Sequence, residues 1–293
     1  MKLDQIRVFL EVAELEHVTL ASERLHMTQS AVSGALHALE SEYEVRLFDR
    51  VGRGIKLNAT GKAFREKALA ITAAVRDAQG LLHEVTGLAR GSVKLFASQT
   101  ISSHWLPERL LRFRALYPQI TIEARIGNTR QCVDALEEGR CDLALIEGEV
   151  AAPQMVAEII DIDHLAVIAA PAHPLAQRPW GGLGSLRGQG LLLREQGSGT
   201  RSTFDDALRV AGFDPADFPS ILDLWSNEAI CTAVASSQHL GVVPWIVCAP
   251  MVHEGRLAVV KQDLIDRPFR ILRHKQRPSG VAVGKFCELL AAR

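Results

Sequence analysis

The sequence predicts an α/β protein in two parts, a small helical unit followed by a larger unit of alternating strands and helices. Three patterns predict it. Apolar residues recur at helical spacing from Leu3 to Leu39, a heptad pattern runs from Phe64 to Val85, and short apolar runs alternate with amphipathic stretches beyond Ser92. At about 100–200 residues per domain, a chain of 293 residues has room for two or three such units with sizeable cores.

Each element has its own signal. Leu3, Ile6, Phe9, Leu10 and Ala13 keep the period of a first helix. Thr19 is placed to cap a second, which carries Leu20, Ala21 and Leu25. Thr28 or Ser30 caps a third, through Ala31, Val32, Ala35, Leu36 and Leu39. Val45–Leu57 alternates apolar and polar residues around Val51-Gly52-Arg53-Gly54, the mark of a hairpin with a Gly-rich turn. One long helix begins at Thr60. Phe64, Ile71, Ala78 and Val85 are seven apart, with Ala68, Val75 and Leu82 between them. Such a stripe suits a partner helix; packing on its own domain is the alternative. Gly87 and Gly91 then read as a linker.

Beyond the linker, strands are expected at Val93–Ser98, Ile120–Ile126, Leu143–Glu147, Leu165–Ala170, Leu191–Arg194 and Leu240–Pro244. Helices are expected at His104–Tyr117, Arg130–Glu138, Ser202–Ala211 and Ala229–Ser237. The alternation implies parallel sheets covered on both faces.

Composition narrows the function classes. With 47% hydrophobic and 23% charged residues the chain is not disordered. Asp4, Arg7 and Glu11 interrupt any secretory core near the start, and Val242–Val252 is far short of the roughly 20 residues that span a bilayer. A cytoplasmic protein without membrane contact is expected. Five cysteines without a CxxC pair indicate neither a disulfide framework nor a zinc ribbon. No GxSxG elbow, GxxxxGK[ST] loop or HExxH pair occurs, and Gly181–Gly190 lacks the GxGxxG spacing, so no catalytic residue and no metal ligand is assigned.

The most specific signal lies in residues 19–41. Ala21 is small where two helices must cross, Leu25 and Val32 are core positions, and His26-Met27-Thr28 makes a short turn. Gln29, Ser30 and Ser33 then begin a helix whose short polar side chains can reach base edges in a major groove. Thr19 and Thr28 sit at helix starts, where hydroxyls and free N–H groups suit phosphate oxygens. An ordinary helical hairpin with a capping Ser is the competing reading.

Here the chain resembles the LysR-type transcriptional regulators. The resemblance rests on FxxVAE at Phe9–Glu14, ASERLHMTQSAVSGALHALE at Ala21–Glu40, LFDRVGRGIKLNATG at Leu47–Gly61 and REQGSGTR at Arg194–Arg201. It covers almost the whole chain, and its nearest-looking branch controls sulfur and carbon assimilation. It implies a winged helix-turn-helix over 1–58, with the wing at Arg50–Lys56, and a dimerising linker helix over 59–90. It further implies an effector-binding domain over 91–293, two-lobed like a periplasmic binding protein. Lobe I would comprise 91–162 and 268–293 and lobe II 163–267, with crossings near Asp161–His164 and Asp263–Phe269. The implied partners are double-stranded promoter DNA, RNA polymerase, a small-molecule effector and further copies of the chain in a homotetramer. No other cofactor is implied. One departure stands out: where family members often carry a long side chain, this chain has Gly34. Readout would then lean on Gln29, Ser30, Ser33 and His37, with Arg53 from the wing, and Arg50 is a further expected DNA-binding residue.

In open α/β sheets ligands sit beyond the carboxyl ends of strands, beside helix starts. Four such ends are rich in Ser, Thr, Asn or Gly: Ser98–Ser103, Gly127–Thr129, Gly197–Thr200 and Trp225–Asn227. Free N–H groups and the helix dipole there favour an oxyanion, and Arg201 adds a cation. Plain N-caps are the bland alternative for each segment. With the resemblance, Ser98, Thr100, Ser102, Thr129, Ser198, Thr200 and Arg201 are expected to bind a small anion. A transport-type solute-binding protein is disfavoured by the helix-turn-helix. A thiol-based redox sensor is disfavoured too: Cys132 and Cys141 flank a predicted helix and its following turn, and Gly197–Ala211 holds no Cys.

A formal net charge of −1 lacks the basic footprint usual for DNA binding. The charge is unevenly spread. Residues 1–45 carry 3 basic and 8 acidic side chains, whereas 46–67 carry 7 basic and 2 acidic. Screening over about 8 Å lets the basic wing and helix start act locally.

Overall fold

A computed structural model describes residues 1–52, 54–85, 91–277 and 279–292. They form two units, Met1–Leu88 with Gln276–Val281, and Ala89–Lys275 with Ala282–Arg293. Gly87 and Arg53, singled out above, lie outside the described residues.

The first unit contains helices α1 (Leu3–Leu15), α2 (Val18–Leu25) and α3 (Gln29–Glu42), the hairpin β1 (Phe48–Val51) and β2 (Gly54–Leu57), and the long helix α4 (Ala59–Val85). Phe9 is wholly buried at its centre, 4.8 Å edge-on from Phe64 of α4 and 5.6 Å from Phe48 of β1. Ile6, Val12, Ala21, Val32, Leu36 and Leu39 close around it, at the positions their helical spacing requires. Two carboxylates hold the hairpin in place: Glu16 Oε1 accepts the Leu57 N–H at 2.9 Å and Glu40 Oε1 the Leu47 N–H at 2.7 Å. Asn58 Oδ1 accepts the Gly61 N–H at 2.9 Å and starts α4. A Cβ at Gly61 would lie 2.1 Å from the Leu47 carbonyl oxygen, so α4 crosses the hairpin only with glycine there.

Two readings change here. Thr19 does not cap α2, because the helix starts at Val18 with His17 as its cap, two residues earlier, and His17 Nδ1 accepts the Leu20 N–H at 3.4 Å. Thr28, not Ser30, caps α3. The heptad stripe also divides: Phe64, Ala68 and Ile71 join the core of their own unit, whereas Ala78 and Leu82 are exposed.

The second unit begins with β3 (Gly91–Ser98). A π-helical turn (Ile101–Trp105) leads into α5 (Leu106–Leu116), then β4 (Ile120–Gly127), α6 (Thr129–Glu137), β5 (Leu143–Glu147) and the 15-residue β6 (Met155–Ala169). After them come β7 (Leu191–Arg194), α7 (Gly199–Val210), β8 (Ser220–Leu224), α8 (Asn227–Ala235) and β9 (Leu240–Pro244). The unit ends with α9 (Trp245–His253), the 17-residue β10 (Ala258–His274) and α10 (Val281–Ala291).

The strand order is β4-β3-β5-β10-β6-β9-β7-β8. Two blocks are parallel, β4-β3-β5 and β9-β7-β8, as the alternation predicts. The sheet as a whole is not parallel. Strands β6 and β10 pair with each other antiparallel from Met155↔His274 to Ala169↔Ala258, and each runs antiparallel to the block beside it. A chain that leaves one block along a strand and returns along that strand's neighbour must reverse direction. Strand β10 pairs with β5 through Phe269–Leu272, and β6 with β9 through Leu165–Ile168, so the handover falls between those stretches.

Other readings also change. Gly91 opens a strand opposite Ile120 and is not a linker residue. The helix expected from His104 begins earlier, in the π-turn. Strand β8 and helices α9 and α10 were not expected: β8 is a largely exposed edge and α9 is apolar over most of its surface, whereas α10 buries Ala282, Val283, Phe286 and Leu290 at helical spacing. The Val242–Val252 run is split at Pro244 between a strand and a helix. Among the described residues no helix is long and apolar enough to cross a membrane.

Candidate functional site

Helix α3 buries Val32, Leu36 and Leu39 and turns Gln29, Ser30, Ser33 and His37 outward, all exposed. Thr28 Oγ1 accepts the Ala31 N–H at 3.2 Å and lies 3.1 Å from Ser30 Oγ, which fixes the first turn. His37 Nε2 is 3.5 Å from Ser41 Oγ. Nothing lies within 4 Å of a Cβ built on Gly34, so its lack of a side chain leaves a gap in the exposed face. Thr19 is exposed on α2, and Arg50 is exposed on β1 opposite Ile55. On α3 these exposed polar side chains are carried by a rigid apolar core, which holds them in place to reach base edges.

The second cluster lies where the two parallel blocks meet. Strand ends of both blocks place helix starts there, and hydrogen bonds join them. Gln99 Oε1 accepts from Arg194 Nη1 at 2.9 Å and from the Asn227 N–H at 3.2 Å. Thr100 Oγ1 accepts from Asn227 Nδ2 at 3.2 Å. Asn128 Nδ2 donates to Glu195 Oε1 at 3.2 Å, and the Arg130 N–H to the Gly197 carbonyl at 3.1 Å. All four segments singled out in the sequence therefore converge.

Which hydroxyls are free decides between a site and mere caps. Asn128 and Ser226 are true N-caps, of α6 and α8. Ser198 is the N-cap residue of α7, yet its side chain makes no capping bond. Ser98, Thr100, Thr129, Ser198 and Thr200 are all buried, and Ser98 Oγ and Thr129 Oγ1 have no hydrogen-bond partner among the described residues. Buried hydroxyls without partners are uncommon and call for an explanation. Two expected residues already have partners. Ser102 donates to the Ala97 carbonyl at 3.3 Å, and Arg201 is held by Asp205 at 3.1 Å and Asp223 at 3.3 Å while also donating to the Arg194 carbonyl at 3.3 Å.

Besides Arg194, which Glu195 pairs at 2.8 Å, the cluster holds Arg267, wholly buried on β10 opposite Asp163 of β6. It donates to Asp163 Oδ2 at 2.7 Å and Thr200 Oγ1 at 3.0 Å, with Glu147 Oε1 at 3.8 Å. Glu147 closes β5 and packs on the start of α7, where a Cβ at Gly199 would lie 2.7 Å from both the Glu147 carbonyl oxygen and Thr129 Oγ1. Only glycine permits that approach. At the rim, a hydrogen bond from His104 at 2.8 Å, with others from Ser226 and Gln99, holds Glu228 down to about 2 against the desolvation of burial. Glu195 loses solvation on burial, but its bonds from Arg194 and Asn128 still keep it below the usual carboxylate range.

The sequence did not mark Arg267, Asp163 or Glu147 as site residues, and it offered Asn227 only as part of a helix start. The available signal was a charged residue within or closing an otherwise apolar strand, as in Leu143–Glu147. It also placed Cys132 at a helix edge, whereas Cys132 lies within α6 and shares a buried apolar cluster with Cys141. None of the five cysteines is in a disulfide. Burial pushes Cys132 far up, Cys231 and Cys248 up to about 12 and Cys287 up to about 11, so these four are not poised as thiolates.

Comparison with known proteins identifies both units. Residues 3–62 match the bacterial regulatory helix-turn-helix protein, lysR family, and residues 86–293 match the LysR substrate binding domain. The HTH-type transcriptional regulator YeiE of Escherichia coli K12 is 33% identical over 290 residues, covering 98% of this chain and 96% of that one. A RuBisCO operon transcriptional regulator of Allochromatium vinosum is 30% identical over 243 residues, covering 83% and 79%. A full-length OxyR variant from Pseudomonas aeruginosa has the same fold, with a TM-score of 0.75 over 100% of this chain and 98% of that one at 21% identity. The chain therefore belongs to the LysR family, as a DNA-binding transcription regulator with an effector-binding domain and not as an enzyme.

Proposed function

We propose that the effector of this regulator is a small anionic metabolite held where the two parallel blocks meet, and that its binding alters how the protein holds and bends promoter DNA. One observation carries the reading: hydroxyls from both blocks, Ser98, Thr100, Thr129, Ser198 and Thr200, are buried together at helix starts and not consumed as caps. Ser102 borders them, and Arg201 acts from outside by holding the first turn of α7. The ligand bridges two blocks joined by only two long strands, so it favours one arrangement of them over another.

In the same reading the DNA-binding domain is 1–58, the linker helix 59–90 and the effector domain 91–293, with lobes at 91–162 plus 268–293 and at 163–267. Gln29, Ser30, Ser33 and His37 read base edges, while Thr19, Thr28, Arg50 and Arg53 contact phosphates. The exposed Ala78 and Leu82 of α4 pair with a second copy, and a tetramer places four weakly basic edges on spaced half-sites. RNA polymerase is the further partner, and the cytoplasm the compartment. A calorimetric screen of small anions against the full chain tests the central point. Binding that Thr100→Val abolishes is the expected result, and tight binding by neutral aromatic compounds alone overturns it.

A further inference from the structure

We infer that the effector is an oxyanion carrying its own hydrogen-bond donor, an O–H or N–H group received by Glu147. The inference rests on the anion-binding reading above and narrows its ligand. Glu147 is 2% exposed, and its Oε1 has no hydrogen-bond partner among the described residues. The cation beside it, Arg267, stands off at 3.8 Å with its closer bonds given to Asp163 and Thr200. A buried carboxylate left without a donor is unfavourable, and a ligand that supplies one relieves it.

The surroundings say what else that ligand carries. Glu147 Oε2 is 3.3 Å and Thr129 Oγ1 2.7 Å from the Cβ position of Gly199, so the carboxylate, a free hydroxyl and the start of α7 share one small region. Ser98 and Thr129 offer hydroxyl protons, and the helix start offers N–H groups, all suited to an oxyanion. Glu147 and Asn227 Oδ1, a second buried acceptor without a partner, offer the opposite. Charge points the same way. One Arg faces two carboxylates, so a donorless dianion meets Glu147 as a like charge. An oxyanion with an O–H or N–H turns that repulsion into a charge-assisted hydrogen bond.

Matched probes test this by calorimetry on the full chain. Inorganic phosphate keeps an O–H at neutral pH and sulfate does not; glycolate and glycine carry donors that acetate lacks. Within at least one of these series, the wild type should bind the donor-bearing probe about tenfold tighter or more than its counterpart. Glu147→Gln, whose amide donates as well as accepts, should bring that ratio to about one or reverse it. The phosphate and glycolate arms separate an inorganic from an organic effector. If Glu147→Gln fails to fold, as its melting curve would show, the wild-type ratios decide alone. Sulfate and acetate binding as tightly as their donor-bearing partners overturns the inference and leaves the anion reading standing. Failure of every probe to bind overturns both.

Discussion

The exposed face of α3 and the buried cluster beside Arg267 are built from the same kinds of residue in opposite settings. Gln29, Ser30 and Ser33 on α3 are exposed and sit on an apolar core of Val32, Leu36 and Leu39. Ser98, Thr100, Thr129, Ser198 and Thr200 are buried, and their neighbours include a buried Arg and two buried carboxylates. The difference follows from the size of each partner. A DNA duplex brings its own extended charged surface, so the protein offers an open edge and a basic wing. A small anion must be enclosed to be recognised, and enclosure carries the cost of burying charge. Stability and function should therefore separate on α3 and coincide in the cluster.

The largest test is Arg267→Met. It leaves Asp163 and Glu147 buried without their cation, and a loss of about 3–5 kcal/mol is expected in denaturant unfolding of the second unit. A loss under about 1 kcal/mol would mean that buried charge does not organise the cluster. Next come changes on α3. Gln29→Ala or Ser33→Ala should cost about 1–3 kcal/mol of discrimination at one base pair while leaving unfolding unchanged. Arg50→Ala should instead weaken all sequences alike and lower the salt slope by about 1. Competition binding at two salt concentrations distinguishes the two behaviours, and equal loss of folding stability would break the contrast.

Two smaller effects sharpen it. Gly34→Ala should stabilise α3 by about 0.5–1 kcal/mol, because a Cβ there meets nothing, and DNA affinity should stay unchanged. The rim of the cluster supplies a pH effect. Glu228 is lowered to about 2 from an ordinary 4.5, chiefly by the hydrogen bond from His104, so its contribution is whole above pH 4.5 and fades as pH falls toward 2. The melting temperature of the wild type should therefore drop more steeply than that of Glu228→Gln between about pH 5 and pH 3. Parallel curves would show that the His104–Glu228 contact does not hold the two blocks together.

Local signals made much of this legible. Period and turn chemistry placed α1 to α3, the hairpin, α4 and both parallel blocks except β8, because each of these buries a stripe that its own residues define. The helix starts around Ser98, Thr129, Ser198 and Asn227 were readable for the same reason. The partners that give the cluster its charge were not. Arg267 meets Asp163 because β10 and β6 pair across 104 positions of sequence, and Glu147 reaches α7 because Gly199 lacks a Cβ. Local sequence holds no trace of such pairings. Nor could it tell Thr28, whose hydroxyl caps a helix, from Ser198, whose hydroxyl does not.

The most direct test of the account couples the two sites. The affinity of the full chain for a promoter fragment it occupies in cells, measured with and without a saturating small anion from the calorimetric screen, reads that coupling. A change of about 5–150-fold, absent in Thr100→Val, is the predicted result. Identical affinity and identical footprint with and without the bound anion would contradict it.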